Sequence, residues 1–234
     1  MEGDERILNC FIAYPEETTE QVQAVIVLHE NTGLTDWVRS MADQLAAKGY
    51  LAIAPDLLSS FSEKINRTTD FPTPDEARTA IYRLDRDQIT KDLNAVFHRI
   101  KNDTICNGQV SIIGFGWGGA QSFRYASNND QLKAALVFYG PPPKTVKEYK
   151  AIQVPVYGFF GGEDQSVNAT LQSTETIMTH NNKTFEPVVY PRAVHGFMRI
   201  GGAPKGGKAN KKAKKKAWKR IVSLLSGEGK LKKP

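Results

Sequence analysis

The stretch Val110-Ser111-Ile112-Ile113-Gly114-Phe115-Gly116-Trp117-Gly118-Gly119-Ala120 decides the fold. A β-branched apolar run enters a cluster of glycines and leaves as a helical pattern, so a strand turns sharply into a helix. Two chemistries use such a corner. Read as Gly114-x-Gly116-x-x-Gly119, it matches the dinucleotide fingerprint, in which a phosphate meets the helix N-terminus. That reading expects an acidic residue after the following strand, and Ala134–Tyr139 runs instead into Gly140-Pro141-Pro142-Pro143. Read as Gly-x-nucleophile-x-Gly, the corner lifts a reactive side chain clear of the sheet, with glycines where a Cβ would strike the neighbouring strand or helix. Gly114, Gly118 and Gly119 then stand in the supporting positions, and Gly116 stands at the apex with no side chain to attack a carbonyl.

Outward from this corner, short β-rich runs alternate with longer amphipathic stretches. That order predicts strands joined by crossover helices, hence an α/β fold with a mostly parallel sheet. Strands are expected at Ile7–Tyr14, Ala24–Glu30, Leu51–Ala54, Val110–Gly114, Ala134–Tyr139, Val154–Phe160 and Phe185–Tyr190. Continuous apolar centres such as Ala24-Val25-Ile26-Val27-Leu28 fit strands covered on both faces. Helices are expected at Asp36–Lys48, Pro74–Ile100, Gly118–Ser127, Asn168–His180 and Lys208–Leu225. Thr73-Pro74-Asp75-Glu76 offers a capping box with proline in the first turn, and Gly49 suits the left-handed end of the first helix. Asp56–Phe71, rich in Ser, Asn, Asp and Thr, reads as a surface loop near the strand ends.

Composition narrows the classes. With 234 residues, 40% hydrophobic and 24% charged, the chain suits one domain with a sizeable core, and residues 1–234 are expected to form it. Two cysteines, Cys10 and Cys106, supply neither a disulfide framework nor a multi-cysteine metal site. No apolar run approaches the ~20 residues of a membrane span, and Met1–Arg6 lacks the apolar stretch of a signal peptide. A soluble, cytoplasmic protein is therefore the expectation. Charge is uneven: residues 201–234 hold twelve Lys and Arg against Glu228 alone, a balance of +11 in a chain whose total is +6, which leaves −5 for the rest. A basic end of this kind can engage nucleic acid or anionic membrane. Ala213, Ala217, Trp218, Ile221 and Leu225 recur at helical spacing, however, which favours a final helix with one packed face and solvated lysines, about 205–234 forming a basic helix and tail. No nucleic-acid or membrane partner is expected on that reading.

Three more segments complete a pattern. Leu28-His29-Glu30-Asn31-Thr32-Gly33-Leu34 is followed by Ala46-Ala47-Lys48-Gly49-Tyr50 and Ala54-Pro55-Asp56-Leu57; Gly161-Gly162-Glu163-Asp164 follows the Val154 strand; and Val194-His195-Gly196-Phe197 comes later. Together with the glycine corner, and in this order, they resemble the dienelactone hydrolase family of α/β-hydrolases over nearly the whole chain. The resemblance implies the α/β-hydrolase fold, with helices on both faces of the sheet, and a nucleophile–His–Asp triad acting on small esters or lactones without metal or other cofactor. It makes Gly116 the substituted nucleophile position, Asp164 the triad acid and His195 the proton relay. Glu30 matches the family's strand-end carboxylate, the Asn31 and Trp117 amides its oxyanion hole, and Arg199 its site for a substrate carboxylate. Alternatives stay open for several of these: Asp164 could cap the helix near Asn168, Glu30 could be an ion-pair partner, and Arg199 could be surface. A monomer is expected.

Gly116 shapes the functional expectation. Glycine relaxes a corner that strains any other residue, and its presence removes the covalent step, so the chain is expected to be impaired or inactive as a covalent hydrolase. A silent relative, a substituted hydrolase and a variant with another mechanism all fit. The alternatives are a His195/Asp164-activated water without an acyl-enzyme, and a non-catalytic protein that binds a dinucleotide or, through its basic helix, a polyanion or membrane.

Overall fold

The computed structural model describes residues 6–16 and 18–227. The first five residues of the N-terminal reading and residues 228–234 of the basic tail lie outside the described residues. The chain divides into two compact units, Met1–Val110 and Ser111–Pro234.

In the first unit, β1 (Cys10–Ala13), β2 (Val22–Leu28) and β3 (Leu51–Pro55) are joined by α1 (Asp36–Ala46), α2 (Pro74–Ile81) and α3 (Arg86–Lys101). β1 is antiparallel to β3, and β2 runs parallel to it with Ala24 opposite Leu51. Every residue from Ala24 to Leu28 is fully buried, as the continuous apolar run predicts for a strand covered on both sides. α1 and α3 both pack on β2 and β3. Gly49 ends the α1 segment at φ +87°.

The expected Pro74–Ile100 helix is two helices. The Asp85 side chain accepts the Gln88 N–H at 2.8 Å and starts α3 afresh, a local bond that competes with helix continuation although the apolar spacing carries on through it. At Thr73 only half of the capping box forms: its hydroxyl accepts the Glu76 N–H at 3.2 Å but donates to the Glu76 carboxylate, at 3.0 Å. Asp56–Phe71 is a loop holding one 3-10 turn, Thr68–Asp70.

β4 (Cys106–Phe115) begins in the first unit, four residues before the expected start, and ends in the second. There follow α4 (Trp117–Tyr125), β5 (Ala135–Phe138), α5 (Val146–Ala151), β6 (Val156–Gly161), α6 (Gln165–Asn168), α7 (Leu171–His180), β7 (Phe185–Tyr190), α8 (Phe197–Ile200) and α9 (Lys208–Leu225). The strands β4 to β7 are parallel in that order, completing a seven-stranded, mostly parallel sheet of order β1-β3-β2-β4-β5-β6-β7. α5 escapes the periodicity because it is a single capped turn and a half, started by Thr145 and Glu148.

Register explains how the second unit holds its strand ends. Phe115 lies opposite Phe138, and Phe138 opposite Phe159. Their rings form a ladder, 4.9 Å between the first two centroids and 4.1 Å between the second two, and Phe197 and Tyr190 extend it. Such ring pairs add about 0.5–1.5 kcal/mol each beyond area burial. Gly116 and Tyr139 come directly after two of these rungs. α9 buries Ala213, Ala217, Ile221, Leu224 and Leu225, with Trp218 only half-buried. Arg220 reaches back from it, its guanidinium 4.5 Å above the Phe159 ring and donating to the Gly158 and Glu186 carbonyls at 2.6 and 2.7 Å.

Candidate active site

Gly116 follows β4 and caps α4, at φ +55° and ψ −113°. Its N–H donates to the Phe138 carbonyl at 3.0 Å, and its own carbonyl accepts the Ala120 N–H at 3.1 Å, so the corner is tied to β5 on one side and α4 on the other. The supporting glycines are sterically required. A Cβ on Gly114 would stand 2.0 Å from the Gly118 carbonyl oxygen, and one on Gly119 would stand 2.5 Å from that of Phe138. These contacts account for the glycines that the dinucleotide reading assigned to a phosphate. Gly116 differs: a Cβ there would meet nothing nearer than the His195 Nε2, at 3.8 Å, and the Tyr139 ring, at 3.9 Å. The apex thus has room for a side chain, and that side chain would face an imidazole nitrogen.

His195 sits in the loop after β7, its Nδ1 2.6 Å from Asp164 Oδ2. Asp164, in the turn after β6, has a side chain only 5% exposed, and burial of that depth requires its oxygens to be satisfied. The second oxygen accepts from Ser166 Oγ at 3.1 Å and from the Val167 N–H at 3.4 Å. Asp164 therefore caps α6 and holds the histidine at once. The carboxylate keeps the imidazole proton on Nδ1, leaving Nε2 as the basic atom toward position 116.

Both loops are braced. The Glu163 N–H donates to Ala193 O at 2.9 Å, Gly161 lets the two loops approach where a Cβ would lie 2.6 Å from Ala193 O and Val194 O, and the Val194 N–H donates to Asn210 Oδ1 of α9 at 3.0 Å. Gly196 takes φ +73° and opens α8, on which Arg199 is exposed. Trp117, half-buried, is the first residue of α4, so its amide lies at the positive end of the helix.

The structure thus gathers Gly116, Asp164 and His195, with Trp117 adjoining in the chain. Glu30 and Asn31 belong to the first unit, just past β2; Asn31 Nδ2 lies 3.4 Å from the Tyr82 hydroxyl, and both residues are half-buried. Tyr139 was not singled out by sequence. It is fully buried, its ring centroid is 4.9 Å from that of His195, and it holds φ +40°, a conformation costing a non-glycine residue about 1–3 kcal/mol. Its only sequence signal is its place at the end of the strand after the glycine corner. Neither cysteine offers a thiolate: Cys10 is exposed on the edge strand, yet the surrounding protein atoms that desolvate its thiol, with Asp56 and Asp92 nearby, push it up to about 11, and burial raises that of Cys106. Among the described residues no cluster of His, Cys, Asp or Glu is arranged to hold a metal ion, and no helix is long and apolar enough to cross a membrane.

A mostly parallel sheet whose strand ends carry, in chain order, a glycine-supported corner, a carboxylate turn and a histidine loop defines an α/β-hydrolase. The chain belongs to the dienelactone hydrolase family, whose pattern matches residues 8–228. A Yersinia pestis protein provisionally named carboxymethylenebutenolidase is 30% identical over 207 residues, covering 84% of this chain and 75% of that protein. A Salmonella typhimurium protein of the same provisional name is 31% identical over 206 residues, covering 84% and 74%. Among solved structures, a provisionally named dienelactone hydrolase from Klebsiella pneumoniae superposes with a TM-score of 0.80 at 24% identity, over 94% of this chain and 99% of that one. P91, a dienelactone hydrolase-like promiscuous phosphotriesterase from metagenomic libraries, gives a TM-score of 0.80 at 21% identity, over 95% and 93%. At these identities the two structures share the fold.

Proposed function

We propose that this chain is a carboxylic ester or lactone hydrolase scaffold in which Gly116 closes the covalent route while the proton-transfer machinery stays assembled. The observation that carries the reading is the position of His195 Nε2, 3.8 Å from where a Cβ at residue 116 would stand, with Asp164 behind the ring. In an intact site of this kind a thiol or hydroxyl attacks the carbonyl, His195 takes its proton and returns it to the leaving group, and Asp164 stabilises the imidazolium. Loss of a triad nucleophile costs on the order of 10⁶ in turnover, leaving about 10³–10⁴ over water. Family membership supports Glu30 as the strand-end carboxylate, the Asn31 and Trp117 amides as oxyanion donors, and Arg199 as partner of a carboxylate on a small substrate.

The test is restoration. Gly116→Cys should raise hydrolysis of a small activated ester at least ~10²-fold, as a fraction of what a triad nucleophile supplies. His195→Ala in that background should remove the gain. A cysteine at 116 that alkylates normally and hydrolyses nothing would overturn the reading.

The space at position 116 also favours a slower second route, in which His195 deprotonates a water molecule that attacks the ester directly. That route predicts steady turnover without a burst, abolished by His195→Ala in the unmodified chain. Turnover that survives this substitution would remove it.

A further inference from the structure

Away from position 116, the second unit carries a cleft of about 110 Å³ lined by Tyr190, Pro191, Arg192, Ala209, Lys212, Ala213 and Lys216. Four of these belong to α9, and their spacing of i, i+3, i+4 and i+7 puts them on one stripe of that helix. Ala209 and Ala213 leave a depression along the stripe. Lys212 and Lys216 flank it, one turn apart.

The opposite wall is the turn after β7, where Arg192 holds φ +59°. That conformation is unusual for arginine and costs about 1–3 kcal/mol. The turn cannot easily relax: a Cβ on Gly162 would lie 3.1 Å from the Arg192 nitrogen, and the Gly162 N–H donates to Tyr190 O at 2.8 Å.

Three basic residues therefore line one cleft with no carboxylate among its lining residues. Among the described residues, no hydrogen bond or ion pair ties the charged end of any of the three side chains to the protein. Their helix adds to the imbalance. α9 contains eight basic residues and no acidic one, begins at Gly207 without a side-chain cap, and carries its lysines toward its positive end, where the dipole disfavours them. Like charges four residues apart repel as well. An anion in the cleft relieves all of these terms together.

We propose that this cleft binds a phosphate group, as inorganic phosphate or as the terminal group of a small phosphorylated molecule. A phosphate carries close to two charges and several acceptor oxygens, which matches a cleft lined by three basic residues better than a single carboxylate does. The site adjoins the loop of His195, since Arg192 lies three residues before it and Asn210 of α9 holds the intervening Val194 N–H. Occupation thus ties that loop to α9.

The experiment is calorimetric titration of the full chain with sodium phosphate and with pyrophosphate, against sodium chloride at matched ionic strength, with thermal unfolding alongside. Saturable one-to-one binding and a raised Tm are expected. Arg192→Gly should weaken binding at least tenfold without lowering the basal Tm, because glycine accepts φ +59° freely. Lys212→Gln with Lys216→Gln should do the same, whereas Lys215→Gln, on the same helix but outside the cleft, should leave binding intact. A response that chloride reproduces, or that persists in both cleft variants, would overturn the proposal. So would duplex DNA binding equally weakened by Lys215→Gln and by the cleft variants, because the lysines would then act as one extended face.

Discussion

Two strand-end corners of this molecule are held rigid by opposite means. After β4, the backbone is fixed by close approach: glycines at 114, 119 and 140 leave space where a Cβ would fall 2.0, 2.5 and 2.3 Å from neighbouring backbone atoms. After β2, it is fixed by buried polar side chains. His29, fully buried, donates from Nδ1 to the Glu30 carbonyl at 2.9 Å and accepts the Leu57 N–H on Nε2 at 3.2 Å. Asp56 accepts from the Leu58 N–H at 3.1 Å and from the Thr68 N–H and hydroxyl at 2.6 and 2.7 Å, and the Thr68 hydroxyl accepts the Leu34 N–H at 2.9 Å. A corner made by absence of side chains leaves its apex open to a reacting group. A corner made by a polar network sets the direction of the chain that leaves it, here the Glu30–Asn31 segment.

The contrast is broken most severely at Gly114. Gly114→Ala places a methyl 2.0 Å from a backbone oxygen that cannot swing aside, and should cost about 4 kcal/mol or more in urea unfolding. A cost under ~1 kcal/mol would mean that the β4 corner yields, and that its rigidity does not come from packing. At the other corner, Asp56→Ala strands the buried Leu58 N–H and the part-buried Thr68 N–H, at about 1–3 kcal/mol for a buried group, so a loss of roughly 3 kcal/mol is expected. An unchanged unfolding midpoint would remove the polar network as the cause of order there.

His29 gives the polar corner a pH signature. Burial lowers its pKa below the ordinary 6.5, so the unfolded chain takes up a proton that the folded chain refuses. Its contribution to stability is complete above pH 6.5 and is lost as pH falls below that value, with a slope of up to about 1.4 kcal/mol per pH unit. Stability measured between pH 7.5 and 5.5 should fall less steeply in His29→Gln than in the unaltered chain. Equal slopes would mean that His29 titrates alike in both states.

The two corners also differ in how plainly the sequence announces them. Glycines spaced around position 116 follow a strand directly, so corner, apex and supports are contiguous and can be read in one line. The Asp164 and His195 turns follow their own strands with similarly local patterns, and the structure joins them. The His29–Asp56–Thr68 network spans 40 residues, and no local pattern shows that its members meet: His29 and Asp56 stand in two separate segments of the sequence pattern, and Thr68 lies in what reads as a surface loop. Tyr139 is hidden for a related reason. Its relation to His195 depends on the sheet order β5-β6-β7, which no window of sequence displays. The α2–α3 break at Asp85 fails differently, because a single side chain bond interrupts an apolar period that continues across it. Local signals thus give elements and glycine corners, while contacts made through sheet order have to await coordinates.

The gentlest probe is Gly116→Ala, two residues from Gly114 and governed by different physics. The methyl finds ordinary contact distances, 3.8 Å to His195 and 3.9 Å to Tyr139, so no atom has to move. What remains is the backbone conformation at φ +55° and ψ −113°, outside the left-handed helical well, which costs an L-residue about 1–3 kcal/mol. Part of this is offset because alanine loses less backbone entropy on folding, by about 0.4–1 kcal/mol. A net destabilisation of about 1–2 kcal/mol follows, well below that at Gly114. A loss as large as that at Gly114 would show that the apex is sterically closed. Since the methyl also stands where an attacking atom would belong without supplying one, this variant separates the strain of occupying the corner from the chemistry that a thiol there adds.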